Sequence, residues 1–390
     1  MPELWPFRPL VGTSSERLEW LTDPLPGYTG EQRIALRDAP RQSFAYAFAL
    51  DPQQYSRAKT FARRNGADEV LVPVWMEQTR NIGALSAADE VIAFDTAYAD
   101  YRAGSAIVIW ESDRKAVTAT IDEIDGDGVT LTAPIGVDFT NPTVAPARQA
   151  LLPDGIQTNR ERGLTADIAT RFQVLDNVDL SGAEIYDQFL ALDVLTDPPA
   201  KVAALAESIV RATEYRDNGF GPIVAETQKA YADFGQTLGF RDEGKAGLWR
   251  RRQWLHNRWG QQKAFWLPSF SNDLVLQAGF GSGAVTLSVA SIAPANFYFG
   301  RSVMIEMKSG ARFFRTINSA VSAGANDTLT IASALGTAVT PADVRLFCLL
   351  AKVRLATDAV TINYRATSST FRPNDTDLST CTIPVTEVPA

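Results

Sequence analysis

Residues 231–270 read YADFGQTLGFRDEGKAGLWRRRQWLHNRWGQQKAFWLPSF. A β-like segment leads into a helix-like run from Lys245 to Arg258, and an apolar-Pro-aromatic segment follows. The same order occurs once earlier: RQSFAYAFAL (41–50), then QQYSRAKTFARRNG (53–66) with a short helix over Ser56 to Arg64, then VLVPVW (70–75). Pro73 and Pro268 stand 195 positions apart.

The correspondence continues outward. VIAFDTAYADYRAGSAIVIW (91–110) pairs with VTLSVASIAPANFYFGRSVMIEM (285–307), placing Gly104 opposite Gly300. GVTLTAPI (128–135) pairs with DTLTIASAL (327–335), and TADIATRFQVLD (165–176) with TDAVTINYRAT (357–367). Segments recurring in one order at nearly constant spacing mark an internal repeat of supersecondary units. Stretches such as VTATIDEI (117–124) and FFRTINSAV (313–321) alternate apolar and polar residues, as half-buried strands do. Turn-rich DGDG (125–128) and SAGAND (322–327) punctuate them.

The expected fold is therefore mainly β with minor α: two tandem related β-barrel or β-sandwich units, each with a short helix. The expected layout is an N-terminal docking arm at 1–29, a first unit at 30–180, a connecting segment at 181–217 and a second unit at 218–390. Two segments read ambiguously. Ser14 to Arg17 with the following LEWL suits a short helix or part of the arm. PPAKVAALAESIVRATEY (198–215) opens like a helix capped by Asp197, but its β-branched end also suits a strand.

The chain has 390 residues, 45% hydrophobic and 21% charged, with a net charge of −8. That acidity argues against a nucleic-acid binder, which needs a basic surface to neutralise phosphates. Cys348 and Cys381 are too few for a disulfide framework and fit synthesis in a reducing cytoplasm. The opening MPELWPFRPL lacks the pattern of a signal peptide, and no apolar run is long enough to span a membrane.

A search for catalytic chemistry yields little. The single histidine, His256, has no G-x-S-x-G serine to serve, and one His with two distant Cys cannot make a zinc site. Asp122, Glu123, Asp125 and Asp127 read as a polar hairpin lacking the full calcium-loop pattern, and GFGSG (279–283) lacks the lysine of a phosphate loop. The chain is expected not to be an enzyme and to need no cofactor or metal. Arg250, Arg251, Arg252 and Arg258, interleaved with Trp249, Trp254 and Trp259, suit a core-packed helix with solvated arginines or a subunit interface. Trp5, Phe7, Arg251 and Arg258 are the candidate interface residues.

The segment WLHNRWGQQKAFWLPSFSNDL (254–274) resembles a signature of phage tail proteins. So do residues 311–364 and the N-terminal WPFRPL, ERLEWLTDPL and TGEQRIALRDAPRQSF stretches. The chain is similar to the distal tail or tail-tip (baseplate) proteins of bacteriophages with long, non-contractile tails. The resemblance implies a virion structural protein at the distal end of the tail. There a ring, a hexamer or alternatively a trimer, joins the tail tube protein to the tail-tip hub and receptor-binding proteins. No membrane and no sequence-specific nucleic acid enter that picture. The alternative is a carbohydrate-binding or cell-wall-degrading β protein of the same virion, using aromatics such as Trp110, Tyr298 or Phe299 to stack on sugars.

Overall fold

The computed structural model describes residues 2–10, 12–27, 31–160, 165–199, 206–211, 213–227, 233–366 and 377–388. Strand accounts for 49% and helix for 11%, so the chain is mainly β with minor α, as the alternation predicts.

The first half runs β1 (Glu3–Leu4), β2 (Ser14–Glu19), β3 (Thr22–Pro26), β4 (Glu31–Ala35), β5 (Arg41–Leu50), α1 (Pro52–Arg64) and β6 (Val70–Pro73). It continues through β7 (Val91–Ala93), β8 (Ala106–Ser112), β9 (Lys115–Asp125), β10 (Gly128–Leu131), β11 (Thr143–Leu151), β12 (Gln157–Asn159) and β13 (Ala166–Val174). A small hairpin follows, β14 (Gln188–Phe189) and β15 (Leu192–Asp193). The second half contains β16 (Ala206–Val210), β17 (Thr213–Arg216), β18 (Val224–Thr227), β19 (Asp233–Glu243), α2 (Gly244–Arg258) and β20 (Phe265–Pro268). It ends with β21 (Thr286–Ala290), β22 (Ser302–Met307), β23 (Arg312–Ala323), β24 (Asn326–Ile331), β25 (Val344–Leu355), β26 (Ala359–Ala366) and β27 (Asp377–Glu387).

The antiparallel pairings of the two halves follow the same order. In the first, β5 pairs with β13, β13 with β11 and β12, and β11 with β6 and β8; β8 pairs with β9, β9 with β10, and β10 with β7. In the second, β19 pairs with β27, β27 with β25 and β26, and β25 with β20 and β22; β22 pairs with β23, β23 with β24, and β24 with β21. The leading elements match too. The β2 strand pairs with β5 ahead of the β3–β4 hairpin, and β16 pairs with β19 ahead of the β17–β18 hairpin. By pairing position, the counterpart of β13 is β27, and that of β26 is β12. The sequence match of 165–176 with 357–367 is thereby corrected, because short alternating strands look alike whichever neighbours they take.

Local sequence explains the elements. The β5 strand alternates large Phe44, Tyr46, Phe48 and Leu50 on its core face with small residues between them. The α1 helix starts on an Asp51 capping box with Gln54 and carries Pro52 in its first turn. Besides a small cluster around Val108 in the first half and Met304 in the second, each half then holds two large apolar cores. One lies under the helix: Trp5, Phe48, Phe61 and Phe172 in the first half, Trp254, Phe265, Leu355 and Ile383 in the second. The other lies among strands alone, around Ile107 and Val129 in the first and Val303 and Leu329 in the second.

Two expectations are corrected. Residues 14–19 form β2 rather than a helix, because Glu16 and Leu18 point to one buried face at the two-residue period of a strand. The described part of 1–29 does not stand apart as an arm: Trp5 and Phe7 complete the first helix-backed core, and Leu18 and Trp20 enter the second. The described part of 198–215 takes the strand alternative, with the β-branched Ile209 and Val210 in β16 and β17 following. The helix expected over its opening falls on 200–205, outside the described residues. Most consequential is β2, which pairs with β5 on one side and β26 on the other, fusing both halves into one sheet.

Candidate functional site: a sealed joint and an open arm

The α2 helix carries the arginine cluster, and three of its four arginines point inward. Arg251, Arg252, His256 and Arg258 are all buried. Each arginine meets carboxylates delivered by other elements. Arg251 bonds Asp197 Oδ2 at 3.0 Å, Asp242 at 3.2 Å and the Tyr186 hydroxyl at 3.1 Å. Arg258 pairs with Asp193 of β15 and donates to the Ala264 carbonyl at 3.2 Å. Arg252 reaches out of its own half, to Glu16 of β2 at 2.9 Å and to Glu77 of the first half. The expectation of solvated or intersubunit arginines is corrected: only Arg250 is substantially exposed. Planar guanidinium forks suit such multi-carboxylate sites, and a buried pair is strongly destabilised when one partner is removed.

The joint around Arg252 is a buried polar network. Glu16 also accepts from Gln42 Nε2 at 2.5 Å and the Tyr364 hydroxyl at 2.6 Å. Glu77 accepts from the Asp100 backbone N–H at 2.6 Å, and Asp100 pairs with Arg148 at 2.6 Å and with Arg102. Burial lowers the Arg252 pKa, but Glu16 and Glu77 more than offset it and hold the guanidinium above its ordinary value. Burial pushes the Glu77 carboxyl up against the opposing pull of Arg252. Asp100 is held well below the usual carboxylate range, because the Arg102, Arg148 and Arg252 guanidiniums overcome its desolvation.

The four candidate interface residues are thus inside the chain. Trp5 and Phe7 fill the first core, Trp5 meeting Phe61 edge-on at 5.2 Å, and Arg251 and Arg258 are consumed by internal ion pairs. Nothing in the sequence placed their partners Asp193 and Asp197 nearby, since those carboxylates arrive from β15 and the bend after it, far back along the chain. His256 is also internal: the Leu180 N–H donates to its Nδ1 at 3.1 Å, and burial depresses its pKa. Burial pushes both the Cys348 and Cys381 thiols up to about 12. Among the described residues, no group of three His, Cys, Asp or Glu side chains is arranged to hold a metal ion. Of the sugar-stacking candidates, Trp110 donates to the Pro6 carbonyl at 2.8 Å and Tyr298 to Asp327 at 2.8 Å, while Phe299 is exposed.

The feature with unspent binding capacity is the β16–β18 arm. Ile209, Tyr215 and Phe220 are 74%, 72% and 93% exposed, and Val210, Ile223 and Val224 are exposed beside them. The β17–β18 ladder is a two-stranded sheet of its own, a form marginally stable in water without a third strand or a packing partner. The β16 strand pairs with β19 and with no other described strand, which leaves one edge open. A groove with Leu267, Pro268, Phe297 and Leu349 in its wall runs along the base of the arm.

No family model matches the chain, and no curated protein matches it.

Proposed function

We propose that the chain is a structural part of a bacteriophage tail tip or baseplate. In this reading it forms a ring at the distal end of the virion's tail that joins the tail tube to the central hub and the receptor-binding proteins. The two halves are read as tandem units of one fold, welded by β2 and the Glu16–Arg252–Glu77 joint into a stiff wall. The observation that carries the reading is the β16–β18 arm, an open sheet edge with large apolar side chains in water, which calls for a protein neighbour. The buried histidine and thiols are part of the interior of that wall.

The test is location. Cryo-electron microscopy of purified virions, with the chain carrying a terminal tag, is expected to put the label on a ring at the tail tip. Virions whose tails lack the chain would sink the proposal.

A further inference from the structure

The arm of the second half has a counterpart already docked within the same chain. With Asp51 and Glu243, the helix N-caps that follow β5 and β19, superposed, β2 and β16 align Glu16 with Glu207, Leu18 with Ile209 and, past the strand end, Thr22 with Thr213. The first set is buried against the second half. Leu18 is 1% exposed in a core shared with Val360 and Ile362, and Ile209 is 74% exposed. Thr22 is anchored to Asp358 twice, backbone N–H to Oδ2 at 2.7 Å and hydroxyl to Oδ1 at 2.9 Å.

The receiving strand has a counterpart as well. The β26 strand, which accepts β2, corresponds by pairing position to β12. Carrying the registers through β13 and β27 sets Thr158 where Ile362 stands, Asn159 where Asn363 stands and Asp154 where Asp358 stands. The helix N-caps and the pairing registers fix that alignment without reference to the residues compared, yet it superposes Asp on Asp and Asn on Asn. All three β12 residues are exposed, and β13 is the only described strand that pairs with β12.

We infer that the free edge of β16, with the β17–β18 hairpin, docks on the free β12 edge of a second copy of this chain, repeating between copies the β2–β26 joint that each copy makes internally. The register follows from the internal joint: Glu207 lies opposite Thr158, Ser208 opposite Gln157 and Ile209 opposite Ile156, antiparallel. Thr213 reaches Asp154 of the second copy as Thr22 reaches Asp358. Because β16 and β12 sit in different halves, the contact is head-to-tail and closes by rotation into a ring in which first and second halves alternate. The added strand satisfies both open backbone ladders and removes Ile209 from water.

The inference deepens the proposed function and shares its two-unit reading, but its test is separate. Full-length Ser208→Cys chain is mixed with full-length Gln157→Cys chain under mild oxidation, with Cys348 and Cys381 buried and silent. The expected product is a disulfide-linked dimer in the mixture alone, and a closed covalent oligomer from chain carrying both substitutions. No cross-link in the mixture, or linkage of Ser208→Cys chain with itself, overturns the inference. Ile209→Glu, at an exposed position, is expected to leave the melting curve of the chain unchanged and to weaken association at least tenfold in sedimentation. Unchanged association overturns it. Tail-tip labelling without the cross-link refutes this contact and leaves the location standing. The cross-link in a chain absent from tails does the reverse.

Discussion

The Arg252 guanidinium, on the helix of the second half, lies 2.9 Å from the Glu16 carboxylate on the strand that both halves share. Glu77 of the first half meets the same guanidinium, so one cation ties three parts of the chain. All three groups are buried, which makes the pair a determinant of how the halves sit together. Removing the cation leaves two carboxylates with no compensating charge. Arg252→Met is expected to destabilise the protein by roughly 3–5 kcal/mol in denaturant titration. The double change Arg252→Met with Glu16→Gln should cost less than the sum of the single changes, and strict additivity would show that the two groups do not interact.

Trp254 and Trp5 are both fully buried, each at the centre of a helix-backed core. Trp254 packs edge-on against Phe265 with ring centroids 5.2 Å apart. Either tryptophan changed to alanine is expected to cost about 3–5 kcal/mol. An unchanged melting curve for Trp5→Ala would restore the N-terminal segment to the role of a free arm.

His256 makes stability depend on pH. Burial holds its folded pKa below the ordinary 6.5, with Asp179 and Glu16 pulling up and Arg252 pushing down. The unfolded chain therefore binds a proton at a pH where the folded chain does not. The stabilisation is complete above pH 6.5 and is lost as pH falls from 6.5 toward the lowered folded value. The slope approaches about 1.4 kcal/mol per pH unit for one proton. Thermal melts between neutral pH and the carboxylate range should show this decline, and His256→Gln should flatten it. Parallel curves for the two proteins would assign the decline to other groups.

Cys348 and Cys381 are buried, and their thiols are pushed up to about 12. Neither is expected to react with an aromatic disulfide reagent in the native protein at neutral pH, and both should react once the chain unfolds. Rapid reaction of one thiol in the folded state would reveal a local opening.

Much of the architecture is legible in the sequence because alternation is a local property. The large residues of 41–50 declare a one-sided strand, and Asp51 with Pro52 declares the start of α1. The same locality misleads where neighbours decide. Glu16 and Leu18 lie two apart in either conformation, and only pairing with β5 and β26 makes them one buried face. The string RRRQWLHNR looks like a solvated face, because carboxylates from positions 16, 77, 193 and 197 are invisible in the local pattern.

The sequence by itself determined the class, the two helices of the described residues and the turns between strands. These follow from side-chain periodicity and backbone preference, which act within a few residues. Tertiary structure alone decided which strand lies beside which, that three arginines and the histidine of α2 are interior, and that, among the described strands, β2 is covered on both edges while β16 and β12 are each paired on one. Those outcomes depend on desolvation and on hydrogen-bond partners brought together from far along the chain, and such free energies have no local signature.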